Sequence, residues 1–395
     1  MTHTVAPTST GERGSPGVLA RNRSVLTGYF AGLGVVMAVW GTRIPAVQKS
    51  AGLDTAGLAA VLLAAAVGMV AGLHVGGRSA GIARSSQLLT GSAIGLAASL
   101  ALLGTGRTPL ELAAAALLFG AAHGVLDVAL NAAAVRCQQD YGRPIMSGMH
   151  AAYSLGALGG AVLAVLVAHQ SHMYVFGVTA VVVITATAAA APVTRCVDSP
   201  AADIDPAETT RQGDPPVLSR SRVWLLGLLA AACLLGEGAA ADWSAVHLTG
   251  LHASPAVAAA SYAGYSAAIA GGRLVGDRLI ARFGAQRVVR TGAMLAAAGL
   301  LAGVAITAAP FALAGWAVFG LGLSVTIPSL FTAAGTGGPR AVAAVAVTGY
   351  LGLLAGPALV GALATVTTLS GALLLPVALA AVVAVLSHRA LENRC

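Results

Sequence analysis

Two runs without a charged residue or a histidine, Thr291–Pro339 and Ala341–Ser387, fill most of the C-terminal part of the chain and are separated by Arg340 alone. Each exceeds the roughly 20 apolar residues that one bilayer crossing takes. Ala309-Pro310 and Thr368-Leu369-Ser370-Gly371 supply turn residues that divide each run into two crossings. Nothing alternates with period two, so the crossings are read as helices rather than barrel strands. The rest of the chain obeys the same constraint: 57% of residues are hydrophobic and only 9% charged, against about 25% charged in soluble domains. The expected class is therefore an all-α integral membrane protein.

Twelve helices can be placed. The first six run roughly over 24–43, 56–76, 86–105, 109–135, 145–168 and 172–192. The second six run roughly over 222–247, 254–275, 288–308, 311–333, 341–366 and 370–388. Residues 1–23 are polar and read as a cytoplasmic tail, 389–395 as a second one. The segment 193–221 holds Asp198, Asp203, Asp205, Glu208 and Asp214 among four prolines, and reads as a flexible cytoplasmic linker between six-helix bundles at 24–192 and 222–388. With the N-terminus inside, only Arg43, Lys49 and Arg107 of the 22 basic residues fall outside. Both termini are thus expected in the cytoplasm, in a multi-pass protein of the cell membrane. The formal charge of +8 is topology, not a nucleic-acid surface. Cys137, Cys196, Cys233 and Cys395 lack metal or redox spacing and are expected reduced.

The halves look duplicated. Gly77-Arg78 recurs as Gly272-Arg273, and Gly156-x-x-x-Gly160 as Gly352-x-x-x-Gly356, at nearly equal offsets of about half the chain. The glycine pairs, and Pro357 beside the second, suit close helix packing and bending.

Ionisable groups inside a membrane helix need a reason. The fourth helix carries His123, Asp127 and Asn131 on one face, and the fifth carries His150 and Ser154 one turn apart. Asp127 and Ser154 lie about 12–14 Å from the cytoplasmic ends, and Glu237 about 21 Å into the seventh helix. These six residues form a candidate proton-coupling and solute cavity. The competing reading makes Asp127 interhelical glue, bonded to Asn131 or His150. Arg43 and Asp242, at similar heights in helices one and seven, are a candidate ion pair closing the outer side when the cavity opens inward, with Trp40 and Trp243 as plugs. The alternative is an ordinary interfacial belt. Tyr153, Tyr262, Tyr265 and Tyr350 read first as packing.

Between helices eight and nine lies Gly272-Arg273-Leu274-Val275-Gly276-Asp277-Arg278, followed by Arg282 and Gly284. Gly-x-Leu-x-Gly-Asp-Arg-x-x-x-Arg-x-Gly resembles the signature loop of the major facilitator superfamily. Asp277 is expected to cap a helix and pair with Arg282 or Arg287, joining helices eight and nine. The first-half loop at Gly76–Arg84 lacks the aspartate. The stretches Gly120-x-x-x-Gly124-x-x-Asp127-Val128-x-x-Asn131, Gly142-Arg143-Pro144 with His150, Glu237-Gly238-x-x-x-Asp242-Trp243 and Trp40-x-x-Arg43-Ile44-Pro45 look like a bacterial branch of that superfamily, the YbjJ-type permeases, which resemble fucose permeases. The resemblance implies two pseudo-symmetric six-helix bundles and, by analogy with the fucose permeases, an acid on the fourth helix that Asp127 matches; their acid in the first helix has no counterpart here.

The function expected is secondary active transport of a small organic solute by alternating access, coupled to protons and working as an efflux system. Sugar-like uptake, a membrane-embedded enzyme and a non-transporting sensor are the alternatives. There is no Gly-x-x-x-x-Gly-Lys-Ser/Thr loop, so this chain alone does not spend a nucleotide. No cofactor, metal or nucleic acid is expected, only solute, protons and the bilayer, and the chain is expected to act as a monomer.

Overall fold

The computed structural model describes residues 16–80, 83–198 and 218–392. Most of the predicted N-terminal tail, most of the predicted linker and the end of the C-terminal tail with Cys395 lie outside the described residues. Among those described there is no strand. The twelve long helices are α1 (Pro16–Ser50), α2 (Thr55–Ser79), α3 (Ser85–Thr105), α4 (Pro109–Tyr141), α5 (Met146–Leu166) and α6 (His172–Thr194), then α7 (Arg220–Gly250), α8 (Pro255–Phe283), α9 (Ala285–Ala305), α10 (Ala309–Gly335), α11 (Gly338–Val366) and α12 (Leu369–Ala390).

The short connections start helices with side-chain caps. Thr108 accepts from Glu111 N–H while the Glu111 carboxylate accepts from Thr108 N–H, with Pro109 in the first turn of α4. Asp54, Ser171, Ser254 and Thr368 each accept from a backbone N–H three residues on. Gly142 ends α4 in the left-handed conformation, φ 64°.

Several boundaries differ from the sequence expectation. Helix α1 overruns the predicted span at both ends, because a helix does not have to stop where the bilayer does. Among the described residues, eleven helices are apolar enough to be taken for membrane spans by composition. The exception is α8, whose face carries Ser261, Tyr262, Tyr265 and Arg273. Helix α10 is interrupted, its pieces being Ala309–Leu323 and Thr326–Gly335. Asp198, assigned to the flexible linker, is instead fixed: it accepts from Ser86 N–H at 3.1 Å and from the Ser86 hydroxyl, capping the start of α3.

Packing repeats with a six-helix offset. In the first set α1 packs on α5, α2 on α4, and α3 on α4 and α6; in the second α7 packs on α11, α8 on α10, and α9 on α10 and α12. Each set has its own aromatic core, Trp40 with Phe119 and Phe176 in one, Trp316 with Phe319 and Tyr265 in the other. The Cys137 and Cys233 thiols are buried and unpaired.

Close approach rests on glycine where backbones touch. A Cβ on Gly72 would fall on the Ala121 carbonyl of α4, and one on Gly124 on the Met69 carbonyl of α2. Gly91 in α3, by contrast, has open space around it. Gly72→Leu should therefore cost at least the ~1–3 kcal/mol typical of overpacking and lower the thermal unfolding midpoint of the purified protein, whereas Gly91→Leu should leave it unchanged. Equal midpoints would show that the α2–α4 seam tolerates separation.

Both sets present their chain ends to one face. Arg222 at the start of α7 donates to the carbonyls of Ala390 and Glu392 after α12, at 3.3 and 2.7 Å. Arg23 near the start of α1 lies over the Tyr141 ring at the end of α4, 5.8 Å away. This terminal face is where the two sets meet most closely.

Candidate functional site

Helix α4 places Asp127 and Asn131 one turn apart, both buried. The Asn131 amide donates to the Asp127 carbonyl at 2.9 Å and to Asp127 Oδ1 at 3.2 Å. Asn131 Oδ1 meets His150 Nε2 of α5 at 3.2 Å. From the other six-helix set, the Tyr350 hydroxyl of α11 donates to Asp127 Oδ1 at 3.3 Å. His150, Asn131, Asp127 and Tyr350 thus form one chain of polar contacts across three helices and both sets. Asp127 Oδ2 has no partner among the described residues. Aromatic walls close the cluster: the His150 ring is 5.0 Å from Phe30 of α1 and stacks 6.1 Å from Phe331 of α10, and His123 meets Tyr350 edge-on at 6.4 Å.

Four of the six predicted cavity residues, Asp127, Asn131, His150 and His123, are brought together in this cluster. Ser154 sits just below, bonded to the His150 carbonyl at 3.2 Å and accepting from Arg273 Nη1 at 2.8 Å. Glu237 is half-buried on α7. The contacts expected of glue do exist, through Asn131 and His150, yet they leave Oδ2 unspent.

The signature stretch behaves differently from the sequence expectation. Arg273 is not in a cytoplasmic loop. Helix α8 continues to Phe283, ten residues or about 15 Å further, so Arg273 is buried. Its guanidinium spans the two sets, Nε donating to the Ser324 carbonyl at the break in α10 at 3.2 Å and Nη1 to Ser154. The break frees the carbonyl that this arginine takes up. Asp277 does cap a helix, but not within its own set and, among the described residues, without an ion pair to an arginine: it accepts from Ser147 N–H at 2.9 Å and Gly148 N–H at 2.8 Å at the start of α5. The unsatisfied N–H groups of a helix start, with their partial positive charge, are the better partner. Gly276 makes the approach possible, since a Cβ there would lie 2.6 Å from Val325 Cγ1 and 2.9 Å from Ser147 Cβ. Gly272 faces Ser324 in the same way. Arg278 is exposed, Arg282 lies over the Phe283 ring at 5.3 Å, and Gly284 takes φ 81° in the turn to α9.

The outer pair, expected when the cavity opens inward, is not formed in the state described, where the two sets are bonded to each other at the terminal face. Arg43 Nη2 donates to the Val167 and Ala164 carbonyls at 2.6 and 3.2 Å, and Nη1 to the Ala168 and Gln170 carbonyls at 3.1 and 3.4 Å. The end of α5 leaves carbonyls that a guanidinium fork satisfies well, and Asp242 stays exposed on α7 without a bond to Arg43. Nor do the tryptophans plug the outer side in this state. Trp40 is buried in the first-set aromatic core, and Trp243 Nε1 ties α7 to the Pro357 carbonyl of α11 at 3.2 Å.

Four contributors escaped the sequence reading. Tyr350 was read as packing, and Phe30 and Phe331 look like any other core aromatic. Gln138 fixes the start of α5 through Ile145 and Met146 N–H at 2.9 and 3.0 Å, and reaches Thr332 of the other set at 3.3 Å. Its only signal is an amide near a helix end. All hydrogen bonds between the two sets among the described residues lie between the terminal face and the level of Asp127.

The geometry agrees with what comparison finds. A relative in Yersinia pestis, an uncharacterized MFS-type transporter, is 35% identical over 365 residues, covering 90% of this chain and 91% of its own. An uncharacterized transporter of Sinorhizobium fredii is 34% identical over 381 residues, covering 92% and 97%. Among solved structures, FucP, a Major Facilitator Superfamily transporter crystallised in the outward conformation, matches with a TM-score of 0.77 at 16% identity over 94% of this chain and 99% of its own. The relatives are transporters and the chain is a transporter of small solutes, not an enzyme. The sequence profile of the Major Facilitator Superfamily matches residues 28–339, and the chain belongs to that superfamily.

Proposed function

We propose that the chain is a proton-coupled secondary transporter in which Asp127 takes up and releases the proton. The observation that carries this reading is the division of its carboxylate. Oδ1 is held by Asn131 within the first set and by Tyr350 of the second, while Oδ2 is buried without a donor. An unpaired carboxylate oxygen at membrane depth costs several kcal/mol, and a proton on Oδ2 removes that cost. Neutralising Asp127 also weakens its bond to Tyr350, which crosses between the sets. Protonation and the relative position of the sets are linked in this way.

The two sets are the bodies that rock about the cluster, and the arginine bias places the terminal face in the cytoplasm. The state described here is then closed on the cytoplasmic side by Asp277, Arg273 and Gln138. Asp127, Asn131, His150 and Tyr350 in one polar chain, with Ser154 and Arg273 beside it, suit a hydrophilic metabolite better than an apolar drug. Arg43 and Asp242 would pair in the opposite state, in which the cavity opens inward.

The test is a screen of hydrophilic solutes in inverted membrane vesicles, with and without an imposed pH gradient. At least one solute should accumulate or be depleted at least tenfold more with the gradient than without it, and collapsing the gradient with a protonophore should abolish the difference. A solute carried at the same rate in both conditions would refute proton coupling, and the sign of its movement gives the direction.

A further inference from the structure

The outer layer of the second set holds a groove that the transport reading does not use. It lies between α9 and α12 and encloses about 790 Å³. Met294, Ala298 and Leu301 form much of its α9 wall, while Gln286, Arg290 and His388 stand at one end. The spacing is regular: 286, 290, 294, 298 and 301 fall on one stripe of α9. His388 lies in the last turn of α12, and Gln286 and Arg290 in the first two turns of α9, so this polar end opens at the terminal face. His388 Nδ1 is bonded to its own helix, at Val385 O, and neither Nε2 nor the exposed Arg290 guanidinium has a hydrogen-bond partner among the described residues.

Length and polarity together select an occupant. Gln286 to Leu301 covers about 22 Å at 1.5 Å per residue, close to one leaflet of a bilayer whose full thickness is about 40–45 Å. A groove that is apolar for most of that depth, with cationic and hydrogen-bonding groups at the headgroup level, is complementary to an anionic phospholipid. The duplication makes a control within the molecule. Helices α3 and α9 correspond at an offset of 200 and α6 and α12 at 196–197, so the first-set counterparts of Gln286, Arg290 and His388 are Ser86, Thr90, and Ala191 or Pro192, none of them cationic.

We infer that the α9–α12 groove binds one anionic phospholipid, its acyl chain against Met294, Ala298 and Leu301 and its phosphate at Arg290, Gln286 and His388. Only the name of the leaflet, cytoplasmic, rests on the orientation proposed above; binding itself does not require that the protein transport anything.

The test is native mass spectrometry of the full chain released from detergent, titrated with phosphatidylglycerol or phosphatidylcholine of identical acyl chains. One phosphatidylglycerol should bind at a concentration at least tenfold lower than phosphatidylcholine. Arg290→Gln with His388→Gln should reduce phosphatidylglycerol binding to the phosphatidylcholine level. Ala298→Trp, at an exposed position with room for the ring, should reduce binding of phosphatidylglycerol with every charge in place. Arg195→Gln, an exposed arginine at the end of α6, should change nothing. Equal binding of the two lipids, indifference to Ala298→Trp, or an equal loss on Arg195→Gln would overturn the proposal and leave only a generally basic surface. Displacement of the lipid by millimolar inorganic phosphate would overturn it too, since the apolar groove would then contribute nothing.

Discussion

Asp127→Asn is expected to abolish gradient-driven accumulation while leaving exchange of solute across the membrane intact. The substitution keeps the hydrogen bonds of Oδ1, to Asn131 and Tyr350, because an amide oxygen accepts in the same place. It removes the titrating group and puts two donors where Oδ2 has no partner. A protein that must load and unload a proton to complete its cycle is then fixed in the equivalent of the protonated state. It can still rock with solute on board but cannot use the gradient, so the accumulation ratio in proteoliposomes should fall to about one. Tyr350→Phe separates the two aspects of the site. It deletes the bond between the sets but leaves the acid, and should slow turnover without removing the pH dependence. An Asp127→Asn protein that still accumulates solute uphill would remove the acid from the coupling step and leave Asn131 and His150 as the glue that joins α4 to α5.

Some of this was legible in the sequence and some was not, and the division has a physical cause. The number of helices and the face that holds the chain ends follow from long uncharged runs and from the arginines between them, properties that a bilayer reads directly. The clustering of Asp127, Asn131 and His150 was legible because helical spacing puts them on facing stripes. Arg43 was read through its charge as the partner of Asp242 in an inward-open state; in the state described it binds carbonyls, and backbone acceptors leave no mark in a sequence. The same holds for Asp277. Its partners are the N–H groups of residues 147 and 148, and the only side-chain clue was the conspicuous arginines that it does not use. Arg273 was placed in a loop because charge was taken to end a span, whereas a break in α10 provides the buried carbonyl that accommodates it. Tyr350 matters through a contact 223 residues away in sequence, and nothing local distinguishes it from a packing tyrosine.

Asp277→Asn is the substitution expected to move the resting state most. The carboxylate receives two backbone N–H bonds from the first turn of α5, one on each oxygen, and thereby fastens the second set to the first at the terminal face. Hydrogen bonds to a charged group contribute about 1.5–3 kcal/mol each, and the helix dipole adds to them. Asparagine retains one acceptor and turns the other position into a donor aimed at an N–H, so at least one bond is lost and a repulsion replaces it. A loss of about 1.4 kcal/mol is already a tenfold shift between two states. The helices themselves are not held by this contact, so the protein should fold and insert normally. Closure of the terminal face should weaken, exposing the seam where Gln138 meets Thr332. The measurement is maleimide labelling of a Thr332→Cys reporter from the terminal side, in a background where Cys137, Cys196, Cys233 and Cys395 are replaced. The labelling rate should rise about tenfold with Asp277→Asn, and solute that favours the terminal-closed state should suppress the rise. An unchanged rate would mean that Arg273 and the packing of α2 against α11 close this face unaided, and that Asp277 only helps to set the start of α5.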